Sequence, residues 1–174
     1  MQTAQKKFLF RFVVALGAFY LLVAIQPVND RAVVPFTEFL VRVSTVLLAA
    51  IGEKTQSFGT VIQSPAFAVD VKNGCNGIEA ALLLVAAMLA FPATGKQRAL
   101  GIAAGLVLIQ GVNLFRIVSL FWLGVHQRNV FELFHAAVWQ TALILLAVGI
   151  FLAWSRRTAE GRAGSGGGPV EARG

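Results

Sequence analysis

Three side chains in this sequence could carry covalent chemistry: the single thiol Cys75, the guanidinium of Arg116 and the imidazole of His135. A thiolate is a strong nucleophile, a guanidinium is a permanent cation with five donors, and an imidazole takes up and returns a proton near neutral pH. Together they suit acyl transfer, in which a carbonyl is attacked, its oxyanion is stabilised and a departing amine is protonated. Cys75 stands in Lys72-Asn73-Gly74-Cys75-Asn76-Gly77-Ile78-Glu79, where a loop runs into a helix. Gly74 and Gly77 permit unusual backbone angles and the close approach of another segment. A helix N-terminus and a neighbouring cation each lower a thiol pKa, so this setting predicts a reactive thiolate rather than a small apolar cap.

Arg116 lies in Gln110-Gly111-Val112-Asn113-Leu114-Phe115-Arg116-Ile117, with Asn113 three residues earlier on the same helical face. It could hold a substrate carbonyl or keep a thiolate charged; the plain alternative is an arginine that only fastens helices. His135 opens the last apolar run and is suited to act as acid and base, with His126 in the preceding turn as its competitor. Glu79, one turn below Cys75, could orient Arg116 or His135, although a carboxylate beside the thiol would raise its pKa. Asn113, Glu79, Gly74, Asn76 and Gly77 are therefore the supporting or substrate-binding candidates. One cysteine and two histidines in separate segments make no usual zinc set, so neither a metal nor another cofactor is required.

The elements that must position these groups are membrane spans. Of 174 residues, 57% are hydrophobic and 13% charged, with a mean hydropathy of +0.73. That charged share is about half the soluble norm, and the apolar residues fall in runs rather than in amphipathic stripes. A lone cysteine also rules out an internal disulfide framework. Four spans are expected, at about 8–26, 75–92, 99–124 and 134–154. The first is read as an uncleaved anchor, because it ends in Gln26-Pro27-Val28-Asn29 without a small-residue cleavage site.

Residues Val33 to Gly52 are apolar enough to cross but carry Glu38 and Arg42 one helical turn apart. If this segment stays outside, nine basic residues (Lys6, Lys7, Arg11, Lys96, Arg98, Arg156, Arg157, Arg162 and Arg173) fall on the cytoplasmic side and five (Arg31, Arg42, Lys54, Lys72 and Arg128) on the other. If it crosses, that bias vanishes. The expected fold is therefore an all-α polytopic membrane protein with both termini cytoplasmic. Its outer segment, 27–74, carries an amphipathic or re-entrant helix with Glu38 and Arg42 paired, and a short β-hairpin in which Thr60-Val61-Ile62 and Phe67 to Val71 flank Gln63-Ser64-Pro65-Ala66. Residues 1–154 form one integral membrane domain, and the Gly-rich and Ala-rich segment 155–174 is expected to be a disordered cytoplasmic tail.

Measured from the cytoplasmic boundary of its span, Cys75 is 18 residues above Ala93, Arg116 is 18 above Arg98 and His135 is 19 below Trp154 in number. At 1.5 Å per residue all three stand roughly 27 Å above the inner surface. Polar groups at such depth are costly in lipid and read first as functional.

The motifs Asn-Gly-Cys-Asn-Gly-Ile-Glu-Ala (73–80) and Asn-x-x-Arg-Ile (113–117), followed by a histidine opening the last span, resemble the exosortase/archaeosortase family over roughly residues 30–155. The compact length is most similar to the small exosortase H type. The resemblance implies a membrane cysteine transpeptidase or protease of the bacterial inner membrane, active at its periplasmic face. Its partners would be exported proteins bearing a C-terminal motif, a transmembrane helix and a basic cluster, and not nucleic acid. It also implies Cys75 as nucleophile, Arg116 as the catalytic arginine and His135 as acid and base. Two rival classes remain from the residues alone: a small transporter or uptake subunit in which Arg116 and Glu79 hold a polar solute, and a scaffold in which polar groups only fasten helices.

Overall fold

The structure, a computed structural model, describes residues 2–165. It is a helical bundle with a small sheet at one end. The elements are α1 (Gln2–Ala24), a single turn α2 (Gln26–Val28), α3 (Val34–Ala50), β1 (Gln56–Phe58), β2 (Val61–Gln63), β3 (Ala68–Asp70), α4 (Ile78–Ala90), α5 (Gly95–His126), α6 (Arg128–Leu133) and α7 (Trp139–Ser165). Two π-helical turns, Asn29–Val33 and Phe134–Val138, join α2 to α3 and α6 to α7.

Helix α4 is the centre of the bundle and packs on α1, α5 and α7. Its sequence is almost wholly apolar, and Ala80, Leu84, Met88 and Ala90 are buried. Leu84 and Met88 join Ile109 of α5 with Leu143 and Ala147 of α7 in one core. The turn from α4 to α5 is tight because Thr94 and Gln97 form a capping box: each side chain bonds the other's backbone N–H. Trp154 of α7 donates to the Gln97 carbonyl and pins the same end.

Among the described residues, four helical runs are long and apolar enough to cross a bilayer: Gln2–Ala24, Gln26–Ala50, Gly95–His126 and Arg128–Glu160. The expected span at 75–92 is helical only over Ile78–Ala90, about 20 Å, because the glycine turn before it and Pro92 after it end the helix early. The 26–50 run qualifies by length, yet both of its ends meet the bundle end that carries Cys75. Asn29 accepts from Asn73 at the start, and Glu53, just past the end, pairs with His126. Leu40, Val41 and Leu48 of α3 pack on Ile117 and Phe121 in the last third of α5 and on Ile62 of the sheet. Glu38 and Arg42 lie 3.8 Å apart, as their spacing predicts.

The expected hairpin is present, with Val61 to Asp70 and Gln63 to Ala68 in register, and Ser64 closing its turn on Phe67. An unforeseen third strand, β1, pairs antiparallel with β2, giving the order β1-β2-β3. Of the tail expected to be disordered at 155–174, the described part is helical: α7 runs on to Ser165. Ser155 and Thr158 turn their hydroxyls back onto the Leu152 and Trp154 carbonyls instead of breaking the helix. Residues 166–174 lie outside the described residues.

Candidate functional site

The site begins with a backbone turn. Gly74 and Gly77 have φ of +91° and +74°, in the left-handed region that other residues rarely adopt. Between them, Cys75 N donates to the Lys72 carbonyl at 2.9 Å. Gly77 is required twice over, because a Cβ there would come within 2.9 Å of Asn113 Cγ. Asn76 is fully buried and fastens the turn on two sides. Its Nδ2 donates to Thr37 Oγ1 of α3 at 3.1 Å, and its Oδ1 accepts from Ile78 N, the first amide of α4, at 3.2 Å. No local pattern marks the Thr37 partner, which is 39 residues away.

The three residues expected at one depth do meet. Cys75 Sγ lies 3.3 Å from His135 Nε2, and Arg116 directs one terminal nitrogen at the sulfur, 3.8 Å away. The other terminal nitrogen of Arg116 donates to the Gly74 carbonyl at 3.2 Å, so the guanidinium braces the turn and faces the sulfur together. Arg116 is 2% exposed, a buried cation whose Nε has no partner among the described residues.

His135 is aimed by its own neighbourhood. It sits in the π-helical turn Phe134–Val138, where the extra residue per turn rotates side chains away from α-helical register. Its ring stacks on Phe131, with centroids 5.5 Å apart and planes at 12°. Phe131 in turn meets Phe67 of the hairpin edge-on, and Phe67 also meets Phe121. Phe67 fits because position 124 is glycine, where a Cβ would collide with its ring. Arg128 adds a bond to the Ala66 carbonyl and lies over the Phe67 ring. The sheet is thereby clamped over the site, and Val69, Asp70 and Val71 roof a narrow cleft of about 20 Å³ that Cys75, Arg116 and His135 also line. Phe131 and Phe67 were missed by sequence reasoning. The only local signal was the four-residue spacing from Phe131 to His135.

The other candidates fall as follows. His126 is turned to Glu53, with Nε2 2.7 Å from Oε1, and is engaged there rather than at the thiol. Glu79 makes no ion pair within 4 Å among the described residues; it lines a second cavity of about 200 Å³, shared with Gly74, Gly77 and Arg116. Asn113 is fully buried against Gly77, and neither of its amide atoms has a hydrogen-bond partner among the described residues.

One expectation is reversed. Burial pushes the Cys75 thiol above its ordinary pKa; Arg116 pulls the other way, and Glu79 and Asp70 add to the rise. Cys75 precedes α4 by three residues, outside its first turn, so the helix terminus does little to offset the loss of water. Burial therefore favours the neutral thiol, and its sulfur has an imidazole nitrogen 3.3 Å away.

A family model described as transmembrane exosortase (Exosortase_EpsH) matches residues 3–154. No curated protein and no solved structure matches the chain.

Proposed function

Because the chain belongs to the transmembrane exosortase family, we propose that it is a membrane cysteine transpeptidase or protease that cleaves C-terminal sorting signals of exported proteins through an acyl-enzyme. The observation that carries this reading is the 3.3 Å approach of Cys75 Sγ to His135 Nε2, with Arg116 3.8 Å from the same sulfur.

The scissile carbonyl of the substrate is presented at the mouth of the cleft under β3, beside Cys75. His135 Nε2 takes the thiol proton while the sulfur bonds to the scissile carbonyl carbon, and Arg116 donates to the oxyanion that forms. Collapse of that intermediate breaks the C–N bond. The proton held by His135 passes to the departing amine, leaving a thioester on Cys75. Water or an acceptor amine then attacks the thioester, and the sulfur leaves and recovers a proton.

The surrounding bundle fits a bacterial inner membrane, with both termini cytoplasmic and the site at the periplasmic face. The run 26–53 returns to the bundle end where it starts, which supports an outer helix rather than a crossing one. The basic residues then keep their cytoplasmic excess. A signal whose helix lies in the bilayer presents its motif at that same level. The compact chain fits the small exosortase H type within the family. A solute carrier suits the geometry less well, because both terminal nitrogens of Arg116 are directed at the Cys75 turn.

The experiment is to follow maturation of exported proteins that end in motif, apolar stretch and basic residues, in cells carrying Cys75→Ala or Cys75→Ser. Both variants should reach the membrane and leave the signal uncleaved. Normal processing by either variant removes the proposal.

A further inference from the structure

We propose that the transmembrane helix of the sorting signal docks in the seam between α1 and α7, over α4, seating side chains seven residues apart in two holes below the Cys75 turn. The inference rests on the transpeptidase reading and adds to it a place for the substrate's helix.

Two cavities of about 200 and 190 Å³ lie along this seam and share Leu83 of α4 as their common wall. Their linings repeat with a period of seven. Ala80 of α4 lines the upper hole and Ala87 the lower; on α7, Gln140 and Ile144 line the upper and Ala147 and Phe151 the lower. Seven residues are about 10.5 Å of helix, the spacing at which a partner helix presents successive knobs to one face.

The walls suit an exchangeable partner. None of the residues of α1 is buried, so this helix leans on α4 without being enclosed. The seam closes at its far end, where Phe8 stacks on Phe151 at 5.9 Å. At its near end the upper hole backs onto Gly74, Gly77 and Arg116. A helix lying in the seam thus ends directly beneath the turn that bears the thiol, and the chain preceding it can bend over Gly74 into the cleft of Cys75 and His135. The chemistry is graded in the same sense. The lower hole is lined by apolar side chains alone, whereas Tyr20, Glu79 and Gln140 enter the upper one, where such a helix gives way to its polar motif. That continuity with the thiol turn favours the signal helix over a second copy of this chain.

The test uses the full chain in membranes, in a Cys75→Ala background that retains uncleaved substrate, with a photoreactive residue at Val148 in the lower hole or at Val107, exposed on α5. The probe is an exported protein whose maturation stops in the Cys75→Ala strain. The expected result is crosslinking from position 148 to the apolar segment of that protein, several-fold above position 107. In the otherwise wild-type chain, Val148→Trp, at an exposed wall of the lower hole, should raise KM for the helix-bearing substrate more than it lowers kcat; an unchanged KM contradicts the seam. Equal crosslinking from the two positions, crosslinks only to lipid, or crosslinks to a second copy of the chain overturn the seam while leaving the thiol chemistry standing. Maturation that continues in the Cys75→Ala strain overturns the transpeptidase reading, and the seam with it.

Discussion

His135 Nε2 lies 3.3 Å from Cys75 Sγ across 60 residues of chain, with no carboxylate needed to bring them together. The ring is held by the face of Phe131 and by the π-helical turn that carries it, and the sulfur by a glycine turn braced on Arg116. Burial favours the neutral thiol, so under the proposed mechanism the sulfur reacts by giving its proton to this imidazole rather than as a standing thiolate.

Thiol labelling should show that directly. The upward shift means that Cys75 stays protonated to higher pH than an ordinary thiol. Alkylation by a membrane-impermeant maleimide should therefore rise late, with a midpoint above that of the denatured chain. Arg116→Ala removes the lowering influence and should move the midpoint further up; Glu79→Gln removes a raising one and should move it down. The same reagent tests topology, since Cys75 is the single target and should react in intact cells once the outer membrane is permeable.

Arg116→Lys should not restore what Arg116→Ala removes. The guanidinium donates to the Gly74 carbonyl and faces the sulfur with two different nitrogens. An ammonium is one compact point charge and cannot span both. Loss of an oxyanion donor lowers kcat by about 10² to 10³. Single-turnover rates of signal cleavage should fall in that range for Arg116→Ala and stay within a few-fold of it for Arg116→Lys.

Gly77 and Asn113 should be energetically coupled. Gly77→Ala forces a left-handed alanine, at about 1–2 kcal/mol, and drives a methyl group against the Asn113 side chain. Asn113→Ala relieves the crowding and removes a buried amide with no hydrogen-bond partner among the described residues. Thermal unfolding of the two single variants and the double variant should be non-additive, with Asn113→Ala recovering part of the stability lost in Gly77→Ala. Strict additivity contradicts the contact.

The clamp on the sheet is tested at Gly124. Gly124→Ala sets a methyl group against the ring of Phe67 and should lift the hairpin from α5, loosening Phe131 and with it His135. Signal cleavage should slow, and adding Phe67→Leu, a side chain that can move aside, should recover part of the rate. A rate unchanged in Gly124→Ala contradicts the clamp.

How far the sequence led depended on the range of each interaction. Span lengths and the 1.5 Å helical rise bring Cys75, Arg116 and His135 to one depth from counting alone, and the Glu38 and Arg42 spacing foretells their pair. The hairpin around Pro65 was legible from β-branched residues flanking a turn. The contacts that aim the site were not. Asn76 with Thr37, Phe67 with Gly124 and His126 with Glu53 join residues 39, 57 and 73 positions apart, and no local pattern marks them. Strand β1 is too short to carry an alternation of its own, and α7 outlasts Trp154 because polar helix formers continue it. The thiol's direction was misjudged for a related reason: the charges nearby were visible in sequence, but the burial that outweighs them was not.

The most direct measurement is of the bond between enzyme and substrate. Purified chain is mixed with an uncleaved exported protein in vesicles, quenched in acid and analysed by intact-protein and peptide mass spectrometry. The expected result is a thioester linking the new C-terminal carbonyl of the substrate to Cys75, released by hydroxylamine and absent in Cys75→Ala. It should form far more slowly in His135→Ala. Cleavage of the signal by Cys75→Ala at the wild-type rate, or an adduct on any other residue, would contradict Cys75 as the nucleophile.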